Sequence, residues 1–275
     1  MAISFFQKLF RKSINRRIRR AFWQKYYRGR AKHERILPTK FGHMKVVLGE
    51  AVGGNIYSDR LHEELETEFI QSCIKPDWTC LDIGANIGYF SILLGMVCTS
   101  GKVIAVEPLE GNAQLTKFNI DLNSLPNCEV EFSALGKSIG KHSFNVSTDS
   151  AFSGFKDTGR KSLEKEIDVN VITPLALVEK YNLKKIDFIK IDVEGAEYLI
   201  FEAFEHVFDI TKPKIIMSEC NADNLSAYGY STTQYIHLMH TYNYDPYVLL
   251  TNGKLMKATP EILKFHDNVI FKLKA

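Results

Sequence analysis

Short apolar runs alternate with amphipathic segments from Trp78 to the end of the chain. The runs that close on an acidic residue predict β-strands, and the segments between them, where apolar residues recur at three- and four-residue steps, predict helices. Such alternation is typical of parallel strands joined by right-handed crossovers, with helices covering both faces of the sheet. We therefore predict an α/β fold.

Four local patterns refine this prediction. The sequence "HMKVVLGEA" predicts a strand from His43, and the dipeptide Gly53-Gly54 with the following asparagine predicts a turn. Residues 129–135 predict the third strand of the alternating series. Residues 138–166, rich in Ser, Gly, Lys and Asp, predict a long irregular loop.

The N-terminal segment differs from the rest in charge and pattern. Eleven of the 35 Lys and Arg residues lie within residues 1–32, while all 32 acidic residues lie beyond them. The spacing of its apolar residues predicts an amphipathic helix with one apolar stripe, formed by Phe5, Phe6, Leu9, Phe10, Ile14, Ile18, Ala21 and Phe22. We therefore divide the chain into a basic helical segment, 1–37, and a mildly acidic body, 38–275.

Four interpretations of the basic helix stay open: contact with an anionic membrane surface, binding of nucleic-acid phosphates, packing on the body, and an Arg-rich organelle transit peptide. We favour peripheral membrane contact through residues 1–32, because the stripe is rich in Phe. No apolar run is long enough to predict a membrane-spanning helix. The five cysteines are widely spaced and form no C-x-x-C pair, which favours a reducing, cytoplasmic environment and no zinc site.

The stretch "TCLDIGANIGYF" is the first candidate binding site. It places Asp82, Gly84, Asn86 and Gly88 after the first strand of the series, at the edge where α/β sheets bind ligands. The two glycines would allow a sharp turn and a close approach of the ligand to the backbone. Their spacing departs from the dinucleotide pattern G-x-G-x-x-G, which disfavours a nicotinamide dehydrogenase.

Glu107 ends the second strand, where a carboxylate accepts hydrogen bonds from ribose hydroxyls. Asp82 at the first loop would repel a pyrophosphate and favour a cationic nucleoside. S-adenosylmethionine, with its ammonium and sulfonium groups, meets both conditions.

Three motifs together, "LDIGANIGYFSILLG", "VIAVEP" and "IKIDVEGAE", resemble the FkbM-type family of S-adenosylmethionine-dependent O-methyltransferases. The resemblance runs from about Leu61 to Phe271. It implies a Rossmann-like seven-stranded methyltransferase sheet with helices on both faces, here preceded by the basic helix, and methylation of a hydroxyl on a sugar or polyketide. It also implies a set of cofactor-binding residues: Asp82, Gly84, Asn86, Gly88, Glu107 and Ala134.

Acidic residues at the ends of the next two strands are the candidate catalytic groups. We predict that Asp192 lies near the methionine end of the cofactor, that Glu194 faces the acceptor, and that Glu219 binds or deprotonates the alcohol. For Glu197 two interpretations stay open, a place beside Glu194 in the site or a cap on the following helix.

We expect a metal-free site and a saccharide or related small molecule, including a lipid-linked one, as the acceptor. Asp192, Glu219 and Asn221 would also suit magnesium, which stays an alternative. The other alternative is a nucleic-acid methyltransferase whose basic N-terminus binds phosphates. The acidic body and the lack of an "NPPY"-like motif disfavour nucleic acid as the partner.

Overall fold

The computed structural model describes residues 16–28, 33–263 and 265–274. It divides the chain into two compact units, Met1–Glu64 and Leu65–Ala275. The predicted boundary between residues 37 and 38 falls within a strand of the first unit, Glu34–Pro38. The functional division that we placed there stays a prediction.

The first unit contains a helix, α1 (residues 16–26), an antiparallel pair of strands, β1 (Glu34–Pro38) and β2 (His43–Val47), and a second helix, α2 (Ala51–Asp59). The predicted strand from His43 and the helical character of residues 16–22 are confirmed. The part of the predicted stripe in residues 1–15 lies outside the described residues.

The turn predicted at Gly53-Gly54 is wrong, because both glycines lie inside α2. Because they have no side chain, neighbouring elements pack closely against them. A Cβ on Gly53 would lie 2.1 Å from the backbone oxygen of Val47, and one on Gly54 would lie 2.2 Å from the indole ring of Trp23. The two glycines therefore let α2 approach β2 and α1 closely.

Strands and helices alternate through much of the second unit. In chain order its elements are α3 (Glu64–Cys73), β3 (Thr79–Ile83), α4 (Tyr89–Val97), β4 (Lys102–Val106), α5 (Glu110–Leu122), β5 (Cys128–Glu131), β6 (Ala134–Leu135), β7 (Gly140–Ser147), β8 (Leu163–Ile172), α6 (Pro174–Lys180), β9 (Phe188–Ile191), α7 (Glu197–Ala203), α8 (Glu205–Ile210), β10 (Ile215–Glu219), α9 (Ala222–Ala227), α10 (Thr232–Thr241), β11 (Tyr244–Leu249), β12 (Leu255–Lys257), α11 (Pro260–Leu263) and β13 (Asn268–Leu273).

The large sheet of this unit has the strand order β12-β11-β13-β10-β9-β3-β4-β5. The strands from β10 to β5 are parallel, and β13 runs antiparallel to both of its neighbours. The predicted Rossmann-like seven-stranded sheet flanked by helices is confirmed, with the short edge strand β12 added to it.

The order of the strands reverses between β3 and β9. From β3 the chain continues through β4 and β5 on one side, and from β9 it continues to β10 on the other side. Ligands of open α/β sheets bind beyond the carboxyl ends of the strands at such a switch point. Both strands are buried along their whole length, because helices cover the two faces of the sheet.

A separate three-stranded sheet, with the order β6-β8-β7, corrects two predictions. The strand predicted over residues 129–135 is divided, since β5 joins the large sheet and β6 pairs with β8. The loop predicted over residues 138–166 is interrupted by β7 and the start of β8, and the loop that connects these strands spans residues 148–162. Buried apolar side chains of both strands form a small cluster with Leu109 and Ala134.

The loops that follow β3 and β9 cross at the switch point. Gly84 has φ = +80°, and a Cβ on it would lie 1.9 Å from the backbone oxygen of Asp192. Gly88 has φ = +84°, and a Cβ there would lie 2.8 Å from Thr116 in α5. From the sequence we predicted that these glycines let a ligand approach the backbone. The structure shows that each glycine also lets another part of the protein approach closely.

We expect Gly84→Ala to lower the free energy of unfolding by about 2 kcal/mol or more, because the added methyl group meets a backbone oxygen at a positive φ. Urea denaturation followed by circular dichroism measures this change. Gly111→Ala is the matched control, since nothing lies within 4 Å of a Cβ at that position in α5. Equal denaturation midpoints for the two variants would contradict the assigned crossing.

Candidate active site

Backbone hydrogen bonds tie the loop from β3 to α4 to the end of β4. Gly84 and Ala85 both donate to the backbone oxygen of Val106 at the end of β4, at 2.9 and 3.1 Å. Asn86 has φ = +51°, and its side-chain oxygen accepts the N–H of Ile87 at 2.8 Å. A positive φ is tolerated by asparagine, whose short side chain hydrogen-bonds locally. The loop therefore has a fixed shape at the end of the first parallel strand.

Glu107 joins this loop to the loop that follows β4. Its Oε2 accepts the N–H of Asn86 and its Oε1 accepts the N–H of Leu109, both at 2.9 Å. Burial raises the pKa of Glu107 to about 8, and the two backbone donors act against that rise. A carboxyl oxygen accepts more than one hydrogen bond, so Glu107 retains the capacity to bind a hydroxyl beyond these two donors.

Asp82 lies deeper than the other predicted cofactor-binding residues. It is 1% exposed, and its Oδ2 accepts a 2.5 Å hydrogen bond from the hydroxyl of Ser91 in α4. Burial raises the pKa of Asp82, while the charge of Lys190 and the bond from Ser91 lower it. The described contacts of Asp82 therefore position the start of α4 against β3.

Lys190 is a residue of this region that the sequence analysis missed. It lies opposite Asp82 in the β3–β9 ladder, its ammonium is 3.1 Å from Oδ2 of Asp192, and it lies 4.6 Å from the centre of the Phe90 ring. A lysine in a fully buried central strand requires an acidic partner, because an unpaired buried charge is costly. The lysine within the apolar run "FIKI" of β9 was therefore the sequence signal for a charged partner nearby.

Two buried carboxylates lie side by side at the ends of β9 and β10. Glu194 and Glu219 are 6% and 8% exposed. Arg160, from the loop before β8, contacts Oε2 of Glu194 at 2.7 Å and Oε1 of Glu219 at 3.3 Å. The side-chain amide of Asn224 in α9 donates to Oε2 of Glu194 at 2.8 Å and to Oε2 of Glu219 at 3.1 Å. The pair is thus held by two shared donors.

The proton affinity of this pair is raised. Burial, followed by the nearby charge of Asp192, raises the pKa of Glu194 to about 7 and that of Glu219 to about 10, and Arg160 opposes both shifts. The two carboxyls therefore titrate as a unit that holds about one proton at neutral pH. Such a pair is able both to donate a hydrogen bond and to accept a proton.

The described contacts of Glu197 and Ala134 are with neighbouring parts of the protein. Oε1 of Glu197 accepts the N–H of Val193 at 2.9 Å, and the side chain is 1% exposed, which favours the helix-cap interpretation over a place beside Glu194. Ala134 is buried in β6 and belongs to the apolar cluster that contains Leu109, two residues beyond Glu107. The structure thus places the predicted residues in two neighbouring groups, one around Glu107 and one around Glu194.

The sequence model of the methyltransferase FkbM domain matches residues 82–246, which is more than half of the chain. The chain belongs to the FkbM methyltransferase family. The match begins at Asp82 and includes all of the predicted cofactor-binding and catalytic residues. No curated protein sequence matches this FkbM methyltransferase significantly.

Several solved methyltransferase structures resemble the chain at low identity. The precorrin-6y C5,15-methyltransferase of Geobacter metallireducens is 15% identical, with 78% of this chain and 88% of that chain covered and a TM-score of 0.41. The O-methyltransferase of Bacillus cereus in complex with SAH is 16% identical, with 78% and 82% covered and a TM-score of 0.44. A Staphylococcus aureus protein described as a caffeoyl-CoA O-methyltransferase is 15% identical, with 78% of this chain and 85% of that chain covered and a TM-score of 0.46. None of the three informs the acceptor of this FkbM methyltransferase.

As a methyltransferase of this family, the protein takes its methyl group from S-adenosylmethionine. The residues around Glu107 fit that cofactor. Glu107 retains the capacity to accept a hydrogen bond from a ribose hydroxyl, and the hydroxyl of Ser133, beside Ala134, is buried without a hydrogen-bond partner among the described residues. A buried orphan hydroxyl at this edge suits a polar heterocycle such as adenine. When bound, the cofactor supplies an activated methyl group.

The acidic residues of this FkbM methyltransferase also have the spacing of a cation site. Carboxylate oxygens of Asp192, Glu194 and Glu219 lie within 4.8 Å of one another, and the guanidinium of Arg160 is the cation bound to two of them. The side-chain oxygen of Asn221, the third predicted magnesium ligand, instead caps α9 by accepting two backbone N–H groups.

We expect Glu107→Gln to weaken the binding of S-adenosylhomocysteine by about 10- to 100-fold, because the amide nitrogen of glutamine accepts no hydrogen bond and a buried donor left unpaired costs about 1–3 kcal/mol. Isothermal titration calorimetry measures this affinity. Glu110→Gln, an exposed carboxylate three residues further along, is the control and should bind like the wild type. Wild-type affinity in Glu107→Gln would exclude the carboxylate from cofactor binding.

We also expect Glu197 to make stability depend on pH. Burial raises its pKa to about 8 from an ordinary value of 4.5, so between these values the folded protein retains a proton that the unfolded chain has lost. Stability conferred by this group is therefore complete below pH 4.5 and falls as the pH rises toward 8, by up to about 1.4 kcal/mol per pH unit.

Glu197→Gln removes this titration while keeping the cap acceptor. Urea denaturation at a series of pH values should show the variant gaining stability relative to the wild type as the pH rises. Glu164→Gln, which removes an exposed carboxyl, is the control. A constant difference between wild type and Glu197→Gln across the series would contradict the buried, protonated carboxyl.

Proposed function

We propose that this protein is an O-methyltransferase that acts on a hydroxyl of a saccharide or related small molecule, including a lipid-linked saccharide. The observation that carries the proposal is the buried Glu194–Glu219 pair at the ends of β9 and β10, next to the loop that crosses Gly84. An alcohol is a weak nucleophile and must lose its proton as the new bond forms, so a hydroxyl acceptor needs a base in this position.

Glu194 is suited to be that base. Its pKa of about 7 lies near neutrality, where a general base is most effective. Arg160 and Asn224 both bind its Oε2, which leaves Oε1 to receive the hydroxyl proton. The two donors also fix the orientation of the carboxylate, so the accepting oxygen is positioned before the acceptor binds.

Glu219 and Arg160 are suited to bind a second hydroxyl of the same acceptor. The raised pKa of Glu219 keeps it protonated at neutral pH, so its carboxyl both donates and accepts. The guanidinium of Arg160 offers donors beside it, and the side chain is 34% exposed, which makes it accessible to a ligand. Adjacent donors and acceptors of this kind match the vicinal hydroxyls of a sugar.

Nucleic acid is disfavoured as the acceptor by the same residues. Three acidic side chains, Asp192, Glu194 and Glu219, lie together where the acceptor would bind, with Arg160 as their basic contact alongside Lys190. These two bases are already paired with the acids, so the cluster offers no excess of positive charge for phosphates, from which nucleic-acid affinity mainly comes.

A transfer assay with labelled S-adenosylmethionine tests the proposal. The acceptors are extracts separated into water-soluble saccharides, lipid-linked saccharides and RNA, and mass spectrometry identifies the labelled species. We expect label in a saccharide fraction. Label confined to RNA, or to an amino group of any small molecule, would overturn the proposal.

For the labelled acceptor we expect Glu194→Gln to lower kcat by about 10²- to 10⁴-fold, because an amide cannot take the proton. Binding of S-adenosylhomocysteine should be unchanged. In the wild type kcat/KM should rise with pH through about 7, as the carboxyl of Glu194 ionises, and the variant should lose this rise.

Glu179→Gln, an exposed carboxylate on α6, is the matched control and should keep the wild-type rate and pH profile. A Glu194→Gln enzyme with a wild-type rate would show that another group takes the proton.

A further inference from the structure

One side of α1 is attached to the first unit. The indole N–H of Trp23 donates to the backbone oxygen of Leu48 at 2.6 Å, and the guanidinium of Arg19 donates to that of Ser58 at 2.8 Å. One turn further on, the rings of Tyr27 and Tyr57 lie 5.9 Å apart. Residues 19, 23 and 27 are spaced by four and so share this attached side of the helix.

A neighbouring side of α1 presents three large apolar side chains to the surroundings. Ile18, Phe22 and Tyr26 are 61%, 44% and 43% exposed, and they too are spaced by four. The rings of Phe22 and Tyr26 lie 4.5 Å apart, so they form a continuous apolar strip with Ile18. We call these three residues the exposed stripe. In the sequence the four-residue spacing extends upstream through residues 14, 10 and 6, which are Ile, Phe and Phe.

The exposed stripe is surrounded by positive charge. Arg17, Arg20 and Lys25 are exposed on the same helix, and the ammonium of Lys25 lies 5.1 Å from the centre of the Tyr26 ring. The helix contains no acidic residue, and neither does any part of residues 1–32. The surface formed by α1 is therefore complementary to a partner that is both apolar and negatively charged.

We propose that α1 is a docking surface for an anionic lipid bilayer, with the exposed stripe inserted among the headgroups and Arg17, Arg20 and Lys25 bound to lipid phosphates. An interfacial helix of this kind combines an aromatic and aliphatic side with a basic side. The attached side distinguishes α1 from a free amphipathic segment, because Trp23 and Arg19 fix which side faces outward. None of the helices in the described part of the chain is both long and apolar enough to cross a membrane.

The exposed stripe favours a bilayer over two other partners of basic helices, nucleic acid and a second copy of the chain. Nucleic-acid phosphates would satisfy the basic residues but would leave Ile18, Phe22 and Tyr26 in water. A second copy of this chain would bring equally basic helices together, which like-charge repulsion opposes. This inference goes beyond the proposed acceptor and does not depend on it.

Sedimentation of the full-length protein with vesicles tests the proposal. We expect binding to phosphatidylcholine vesicles that contain phosphatidylserine, little binding to phosphatidylcholine alone, and release at high salt. The combined variant Ile18→Ser, Phe22→Ser and Tyr26→Ser should lower the partition coefficient by about tenfold or more. The combined variant Arg17→Gln and Arg20→Gln should do the same, since each base near an anionic surface contributes about fivefold.

Matched variants elsewhere in the chain control for general effects. Phe265→Ser removes an apolar side chain that is 86% exposed, and Lys141→Gln with Lys184→Gln removes two exposed bases. Both controls should bind vesicles like the wild type. Methyl transfer to a water-soluble acceptor should be unchanged in the stripe variant, which separates this test from that of the proposed function.

Three outcomes would overturn the docking surface. The first is equal binding of the wild type to neutral and anionic vesicles, or binding to neither. The second is wild-type vesicle binding by the stripe variant, with RNA binding lost in the arginine variant. The third is a dimer, detected by light scattering without vesicles, that the stripe variant abolishes.

Discussion

A buried ion pair at the centre of the sheet is the constraint on which the site depends. Lys190 lies in a strand with no exposed residue, beside Asp82 on the neighbouring strand and 3.1 Å from Asp192 at the end of its own. Removing Lys190 would leave both aspartates without their cation in a medium of low polarity. The lysine therefore fixes how β3 and β9 are paired, and with it the point at which the loops after these two strands cross.

That crossing brings two kinds of chemistry together. The loop after β3, tied to Glu107, forms the cofactor side of the proposed site, and the loop after β9 carries Glu194, the proposed base. Because Gly84 has no side chain, the backbone of Asp192 lies directly against the cofactor loop. Glu107 and Glu194, two carboxyls with raised pKa values, are thus proposed for separate roles, cofactor binding and proton removal, on the two sides of this loop crossing.

The sequence predicted the large sheet well, because strands buried on both faces appear as apolar runs that end in the site acids. It failed where burial is one-sided: in β7 only alternate residues such as Phe144 and Val146 face the apolar cluster, and the polar residues between them resembled a loop. Gly53 resembled a turn because the close approach to β2 is a tertiary contact. Arg160 could not be predicted as a site residue, since its two partners lie 34 and 59 residues away in sequence.

The attachment of Arg160 has a consequence for how this enzyme could change its acceptor. The arginine belongs to residues 148–162, which connect two strands of the small sheet and take no part in the ladder of the large one. Insertions in such surface connections cost little stability. Under the proposed function, a change in the length of this segment would therefore present different side chains to the acceptor, while the residues around Glu107 stay the same.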